Sequence, residues 1–326
     1  MDESTLIALL KKGAQHKASD VILKVGQPPA FRVNGDLHYL QGDKLRPEQT
    51  LALAEIFLRR SRFKALRAIP LEVPNFEALR LPPAIAKLAE NERGMILCVG
   101  AAGNGKSTTL AAMVDHINRS QRVHIVTIED PIEYIFTDKK ATINQREIGI
   151  DCLDFKIALR ALVRENPDVV LVGEMRDKET FEAALHAAET GHLVYGTIHA
   201  SSTLQTFSRI YGLFEAEEVE QVRKILAYQM RAFVYQKLLP TLHENIHRIP
   251  ALEILIGNTV VRKHVLEGRE GELREYFQAI EAQQVGMVDF NDSLVKLVEG
   301  EYIHMRTALE NSPNVDELQM RLKKLG

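Results

Sequence analysis

The sequence predicts an α/β protein: a domain with a mostly parallel sheet, preceded by a small α+β module and followed by a helical C-terminal extension. Short, wholly apolar strands alternate with helical stretches between Gly94 and Ile198, the pattern of a parallel sheet covered on both faces. Pro70, Pro74, Pro82 and Pro83 set that region apart from what precedes it. Residues 215–238 and 259–326 read as mostly helical. The expected division is a small α+β domain at 1–68, a proline-rich linker at 69–83, an α/β domain at 84–258 and a helical region at 259–326.

Within the first module, Leu6, Ile7, Leu9 and Leu10 have helical spacing over residues 4–16, and Asp20–Val25 follows as a strand. Ala30–Val33 and Leu37–Leu40 flank Asn34-Gly35, a pair that accepts the positive φ of a tight hairpin turn. Residues 47–60 look helical, with Pro47 suited to a first turn. Proline fixes φ and extends its predecessor, so residues 69–83 should form a semi-rigid connection. In the second domain the expected strands are Gly94–Val99, Val123–Ile128, Val169–Val172 and His192–Ile198. The expected helices are Lys106–Asn118, Asp154–Glu165 and Asp177–Thr190, the last with Asp177 as N-cap.

A chain of 326 residues is long enough for two or three domains, and 45% apolar with 26% charged residues is a soluble globular balance. The net charge of -3 argues against a non-specific nucleic-acid binder. The two cysteines, Cys98 in an apolar run and Cys152, form no disulfide framework or CxxC knuckle, which favours a reducing compartment. Met1-Asp-Glu-Ser is no signal sequence, and no apolar run approaches the ~20 residues that span a bilayer. The expectation is a cytoplasmic protein with no direct membrane insertion, reaching a membrane only through partners.

Gly100-Ala-Ala-Gly-Asn-Gly105-Lys106-Ser107 fits G-x-x-x-x-G-K-[ST], with the strand before and the helix after that the motif requires. Glycines let backbone N–H groups turn inward around phosphate oxygens, and the helix adds its positive end. Gly100, Gly103, Asn104, Gly105, Lys106, Ser107 and Thr108 are therefore the expected nucleotide-binding residues. Lys106 would reach the β- and γ-phosphates of ATP, and the Ser107 hydroxyl would ligate Mg²⁺. No Asn-Lys-x-Asp motif suggests a GTPase.

Ile128-Glu-Asp-Pro-Ile-Glu133-Tyr134 ends one strand with carboxylates, and Val169-Val-Leu-Val-Gly-Glu174 ends another. Ligands of open α/β sheets sit beyond the carboxyl ends of the strands, so both sets point toward the phosphates. One would hold Mg²⁺ through water, and another would orient or deprotonate the attacking water. The bland alternative, carboxylates that merely cap or stay solvated, stands beside this for Glu129 and Asp130. His192 and His199 lie seven apart on a strand and its exit, the wrong spacing for a shared metal ion. A lone histidine near a strand is more often a satisfied structural residue. His199, past the carboxyl end, is the better placed to sense a γ-phosphate.

Four stretches in this order, Gly100–Ser107, Ile128–Tyr134, Val169–Asp177 and Glu189–Ser202, resemble the Walker A, Asp box, Walker B and His box of type II and type IV secretion ATPases. Val260-Val-Arg-Lys-His-Val-Leu-Glu-Gly-Arg269 is similar to the Ala-Ile-Arg-Asn-Leu-Ile-Arg-Glu-Gly-Lys motif of PilT-type retraction ATPases. No tetra-cysteine zinc motif of assembly ATPases is present, and the chain opens directly on the small module.

The resemblance implies a RecA-like ATPase domain after a PAS-like one, with Glu174 as the catalytic glutamate and Glu133 beside Mg²⁺ and water. His192 and His199 would be the His-box pair that links nucleotide state to domain position. It further implies a homo-hexamer that powers type IV pilus retraction, peripheral to the inner membrane through a pilus platform protein and working with other pilus ATPases. An accessory PilU-type retraction ATPase and a nucleotide-gated regulatory subunit remain alternatives. The same motifs serve assembly and retraction, so they carry no direction of force. The chain departs from the family where Ser61–Arg67 runs straight into the linker, without a further segment whose strands and arginines reach ATP. Arg59, Arg60, Arg62 and Arg67 are weak substitutes.

Overall fold

Asn34 takes φ 54° between two four-residue strands, which is the turn its sequence calls for. The computed structural model describes residues 3–18, 20–23, 26–34, 36–46, 48–49, 66–67, 72–162 and 164–323. It divides into two units, Met1–Pro70 and Leu71–Gly326.

In the first unit, helix α1 (Glu3–Gln15) precedes strands β1 (Asp20–Ile22), β2 (Ala30–Val33), β3 (Asp36–Tyr39) and β4 (Leu66–Arg67). They form an antiparallel sheet of order β3-β2-β1-β4. Helix and sheet meet at Gly13, where a Cβ would stand 3.2 Å from Val21 and 3.3 Å from Phe31. Leu6, Ala30 and Phe31 are buried there. Of the helix expected at 47–60, only residues 48–49 are described, and they are helical; the rest, with Arg59, Arg60 and Arg62, lies outside the described residues. Arg67 is in β4.

The second unit opens with Phe76, Leu79 and Leu81 packed on its core, then helix α2 (Pro83–Ala89). Strands and helices then alternate: β5 (Gly94–Val99), α3 (Lys106–Ser120), β6 (His124–Glu129), β7 (Thr142–Glu147), α4 (Phe155–Leu162), β8 (Val169–Val172), α5 (Lys178–Glu189), β9 (Leu193–Ile198). Two helices follow, α6 (Thr203–Tyr211) and α7 (Val219–Gln229), and a long antiparallel pair, β10 (Met230–Pro240) and β11 (Arg248–Ile256). The seven-stranded sheet has order β11-β10-β5-β9-β8-β6-β7, parallel except for β11. Both faces of β5 are buried: Met95, Leu97 and Val99 join one apolar cluster, and Ile96 and Cys98 join the other. That is why these strands read as unbroken apolar runs.

Helix α8 (Thr259–Leu266) is followed by short helices α9 (Leu273–Tyr276) and α10 (Ile280–Gln284). Helices α11 (Phe290–Glu299), α12 (Met305–Asn311) and α13 (Val315–Lys323) pack Phe290, Leu294, Ala308 and Leu318 against Leu239, Ile249 and Ala251 of the β10–β11 pair. Among the described residues no helix is long and apolar enough to cross a membrane.

Residues 215–238 are not one helical region. The helix stops at Gln229, and β10 inserts between β5 and β11. Ala232, Phe233 and Val234 are buried consecutively, and such a run has no period that separates strand from helix. β7 carries no strand signal in sequence because Thr-Ile-Asn-Gln-Arg-Glu is mostly polar, and it lies at a sheet edge. β11, the other edge strand, carries Pro250, a residue that sheets accommodate at their edges.

Candidate active site

The carboxyl ends of β5, β6, β8 and β9 bring four stretches together: Gly100–Ser107, Glu129–Tyr134, Gly173–Arg176 and His199. Gly100, Gly103 and Gly105 adopt φ of 144°, 77° and 77°, a backbone that only glycine takes without strain. Helix α3 starts at Lys106, so its first N–H groups open into the loop. The Lys106 ammonium curls back, donating to the carbonyls of Gly100 at 2.9 Å and Ala101 at 3.0 Å. Burial pulls it below the ordinary lysine range, against the opposing pull of Glu174, Cys98 and Glu133. Its neighbour Cys98, wholly buried, is pushed up to about 12 by that burial and stays a neutral core thiol.

Glu174 lies just past β8, with Oε2 accepting from Arg176 Nη2 at 2.6 Å. His199 Nε2 is 2.8 Å from Glu174 Oε1, and its Nδ1 donates to the Gly100 carbonyl at 2.9 Å. The Nε2–Oε1 approach is close enough for a charge pair, yet buried Oε1 has no aligned hydrogen-bond donor. Burial tends to raise the Glu174 pKa, but Arg176, His199 and Lys106 outweigh it and hold the carboxyl below the ordinary glutamate range. An ionised carboxylate with one oxygen anchored and the other lacking an aligned donor is suited to accept a proton or align a water.

The acidic loop after β6 sorts into two roles. Glu129 is buried, accepting from Thr127 Oγ1 at 2.7 Å and, more weakly, from Gln145 Nε2 and Glu133 N, both at 3.4 Å. Burial raises its pKa despite these bonds. Its carboxylate thus shapes the loop, neither solvated nor capping a helix. Glu133 is close enough for its charge to act on Lys106. Tyr134 Oη donates to Thr108 Oγ1 at 3.1 Å, tying the loop to the first turn of α3.

Not every expected residue gathers here. His192 precedes β9 at its amino end, its carbonyl accepting from Gly94 N beside the start of β5. One strand length, roughly 20 Å, separates it from His199. Its Nδ1 donates to the Ala187 carbonyl at 2.8 Å and is 3.1 Å from Thr190 Oγ1. Asn104 turns its side chain toward β10, where Oδ1 accepts from Leu238 N at 3.1 Å. Arg176 and Gln236, not singled out in sequence, both belong to the constellation. Arg176, two residues after Glu174, has a legible signal, whereas Gln236 has none, because it falls in a stretch whose pattern predicts a helix.

A family model described as "Type II/IV secretion system protein" matches residues 56–293. The chain is 44% identical over 252 residues to a "Twitching motility protein" of Neisseria gonorrhoeae, spanning 77% of this chain and 67% of that protein. It is 36% identical over a 346-residue alignment to the "Type IV pilus retractation ATPase PilT" of Pseudomonas aeruginosa, covering 96% and 98% of the two chains. A crystal structure of the pilus retraction motor PilT with bound ADP superposes with a TM-score of 0.81 at 38% identity, over 96% of this chain and 98% of that one. The matched span covers well over half of the sequence, and the chain belongs to the type II/IV secretion system protein family.

Proposed function

We propose that the chain hydrolyses ATP and works as a hexameric motor that powers type IV pilus retraction. The carrying observation is Glu174 Oε1, a buried carboxylate oxygen without an aligned donor, set beside a glycine loop that opens a helix. The relatives' names and the PilT–ADP structure support the same reading.

In this reading the N–H groups of Gly103, Gly105 and the first turn of α3, through Thr108, cradle the phosphates. Lys106 leaves the Gly100 and Ala101 carbonyls for the β- and γ-phosphates. Among the described residues no group of three or more His, Cys, Asp or Glu forms a metal cage. This suits Mg²⁺, which takes few protein ligands beside phosphate and water, here the Ser107 hydroxyl and, through water, Glu133 and Glu174. Bound Mg²⁺ would neutralise phosphate charge. Glu174 takes the proton of the attacking water. His199, on both Gly100 and Glu174, senses the loop's occupancy. The ATPase domain is residues 84–258, and His192 acts at a distance, on domain position. The motor is cytoplasmic and peripheral to the inner membrane, through a pilus platform protein.

Purified protein should release phosphate from ATP in a Mg²⁺-dependent manner, and Lys106→Ala should lose both binding and turnover. Binding without turnover would instead favour the regulatory-subunit reading. A deletion strain should lose twitching and carry longer pili; absent pili would reverse the direction of force. Light scattering with MgATP should give the mass of six chains, and monomer alone at high concentration would remove the ring.

A further inference from the structure

The glycine loop is not free-standing: β10 grips it. Gln236, 3% exposed, lies on β10 directly beneath the loop. Its Nε2 donates to the Asn104 carbonyl at 2.7 Å, and its Oε1 accepts from Thr109 Oγ1 at 2.7 Å. Two residues on, Leu238 N donates to Asn104 Oδ1 at 3.1 Å. From the first residue of β11, Arg248 Nη1 donates to the Gly103 carbonyl at 3.2 Å. Two loop glycines are matched to the same residue. A Cβ on Gly100 would stand 2.5 Å from the Gln236 carbonyl oxygen, and one on Gly105 2.8 Å from its Nε2.

Phosphate binding needs the N–H groups of this loop turned inward together, so its carbonyls must point outward and find partners. For Gly103 and Asn104 those partners are on β10 and β11. We infer that Gln236 is a positioning residue for nucleotide binding: its amide, satisfied at both ends, pins the Asn104 peptide and the first turn of α3 in the phosphate-accepting arrangement. The same strand pair carries the C-terminal helices through Leu239, Ile249 and Ala251, so the grip is a direct mechanical link from the loop to that region. This inference rests on the glycine loop being a nucleotide site.

The test measures equilibrium binding of a fluorescent ATP analogue with Mg²⁺ to the full-length chain, alongside melting temperature. Gln236→Leu keeps the volume but leaves the Asn104 carbonyl and the Thr109 hydroxyl unpaired. Expected is about tenfold weaker binding, with kcat at saturating ATP changed less than KM. Thr109→Val should weaken binding on its own but add nothing in the Gln236→Leu background, because both remove the same grip. Gln236→Glu supplies a pH readout that loss of packing would not move. A buried carboxyl can donate to the Asn104 carbonyl only when protonated, so its affinity should recover as pH falls while Gln236→Leu stays weak. If Gln236→Leu unfolds, Thr109→Val and the glutamate pH profile still decide. Wild-type-like affinity in both Gln236→Glu at high pH and Thr109→Val overturns the grip. No binding by the wild type would instead overturn the nucleotide site itself.

Discussion

His199 spans the two halves of the site, Nδ1 on the Gly100 carbonyl at 2.9 Å and Nε2 at 2.8 Å from Glu174 Oε1. Gly100 opens the glycine loop, and Glu174 lies just beyond the end of β8. The ring that donates from Nδ1 also brings Nε2 beside the carboxylate, in an orientation that leaves Oε1 without an aligned donor. Any movement of the Gly100 carbonyl therefore changes what Glu174 faces.

Replacement of His199 by alanine should uncouple these halves and leave the fold intact. ATP affinity is expected to stay within about threefold and the melting temperature near wild type, while hydrolysis falls roughly tenfold or more. Titration with a fluorescent nucleotide, differential scanning fluorimetry and phosphate release separate the terms. A parallel loss of stability and affinity, with unchanged activity per bound nucleotide, would identify a packing histidine instead.

Glu174→Gln should still bind ATP and hydrolyse it about a hundredfold more slowly, the usual scale of a lost general base. Arg176→Ala tests the electrostatics. The depressed Glu174 pKa, held down against burial first by the Arg176 hydrogen bond, keeps its carboxylate ionised into acid. Removing Arg176 raises that pKa, so the acid limb of the kcat profile should move to higher pH. A profile that stays in place would show that Glu174 ionisation does not limit turnover.

Glu253 on β11 makes a separate prediction about stability. Its buried Oε1 accepts from Thr203 N at 2.7 Å and Thr203 Oγ1 at 2.5 Å, holding the start of α6 four residues past His199. Burial raises its pKa more than the Thr203 bonds lower it. An acid with a raised folded pKa contributes stability that is full below the unfolded value and lost as pH rises through the folded one. Glu253→Gln has no such proton to lose. Its melting temperature relative to wild type should climb as pH rises above the ordinary glutamate range. A difference independent of pH would show that Glu253 is not the titrating group.

Tyr195, fully buried on β9, donates to the Ala89 carbonyl at the end of α2 at 3.0 Å. Tyr195→Phe strands that carbonyl and should cost about 1–2 kcal/mol in urea unfolding, with ATP affinity unchanged. No change in the midpoint would mean that the carbonyl finds another donor.

What the sequence determined by itself was local. Gly100–Ser107 was legible because strand, loop and helix are consecutive in the chain, and positive φ demands glycine wherever the fold puts it. Val169–Val172, Glu174 beyond it and Asp177 as N-cap, accepting from Thr180 N at 2.8 Å, were legible for the same reason. The tertiary structure decided what depends on distant partners. Gln236 meets Asn104 across 132 residues and Thr109 across 127, and His199 meets Gly100 across 99. It made a strand of Met230–Pro240, kept β7 and β11 at the edges and folded Glu129 into its own loop. Periodicity reports which face of a segment is apolar, but a hydrogen bond between groups so far apart in sequence exists only once the sheet order brings their strands together.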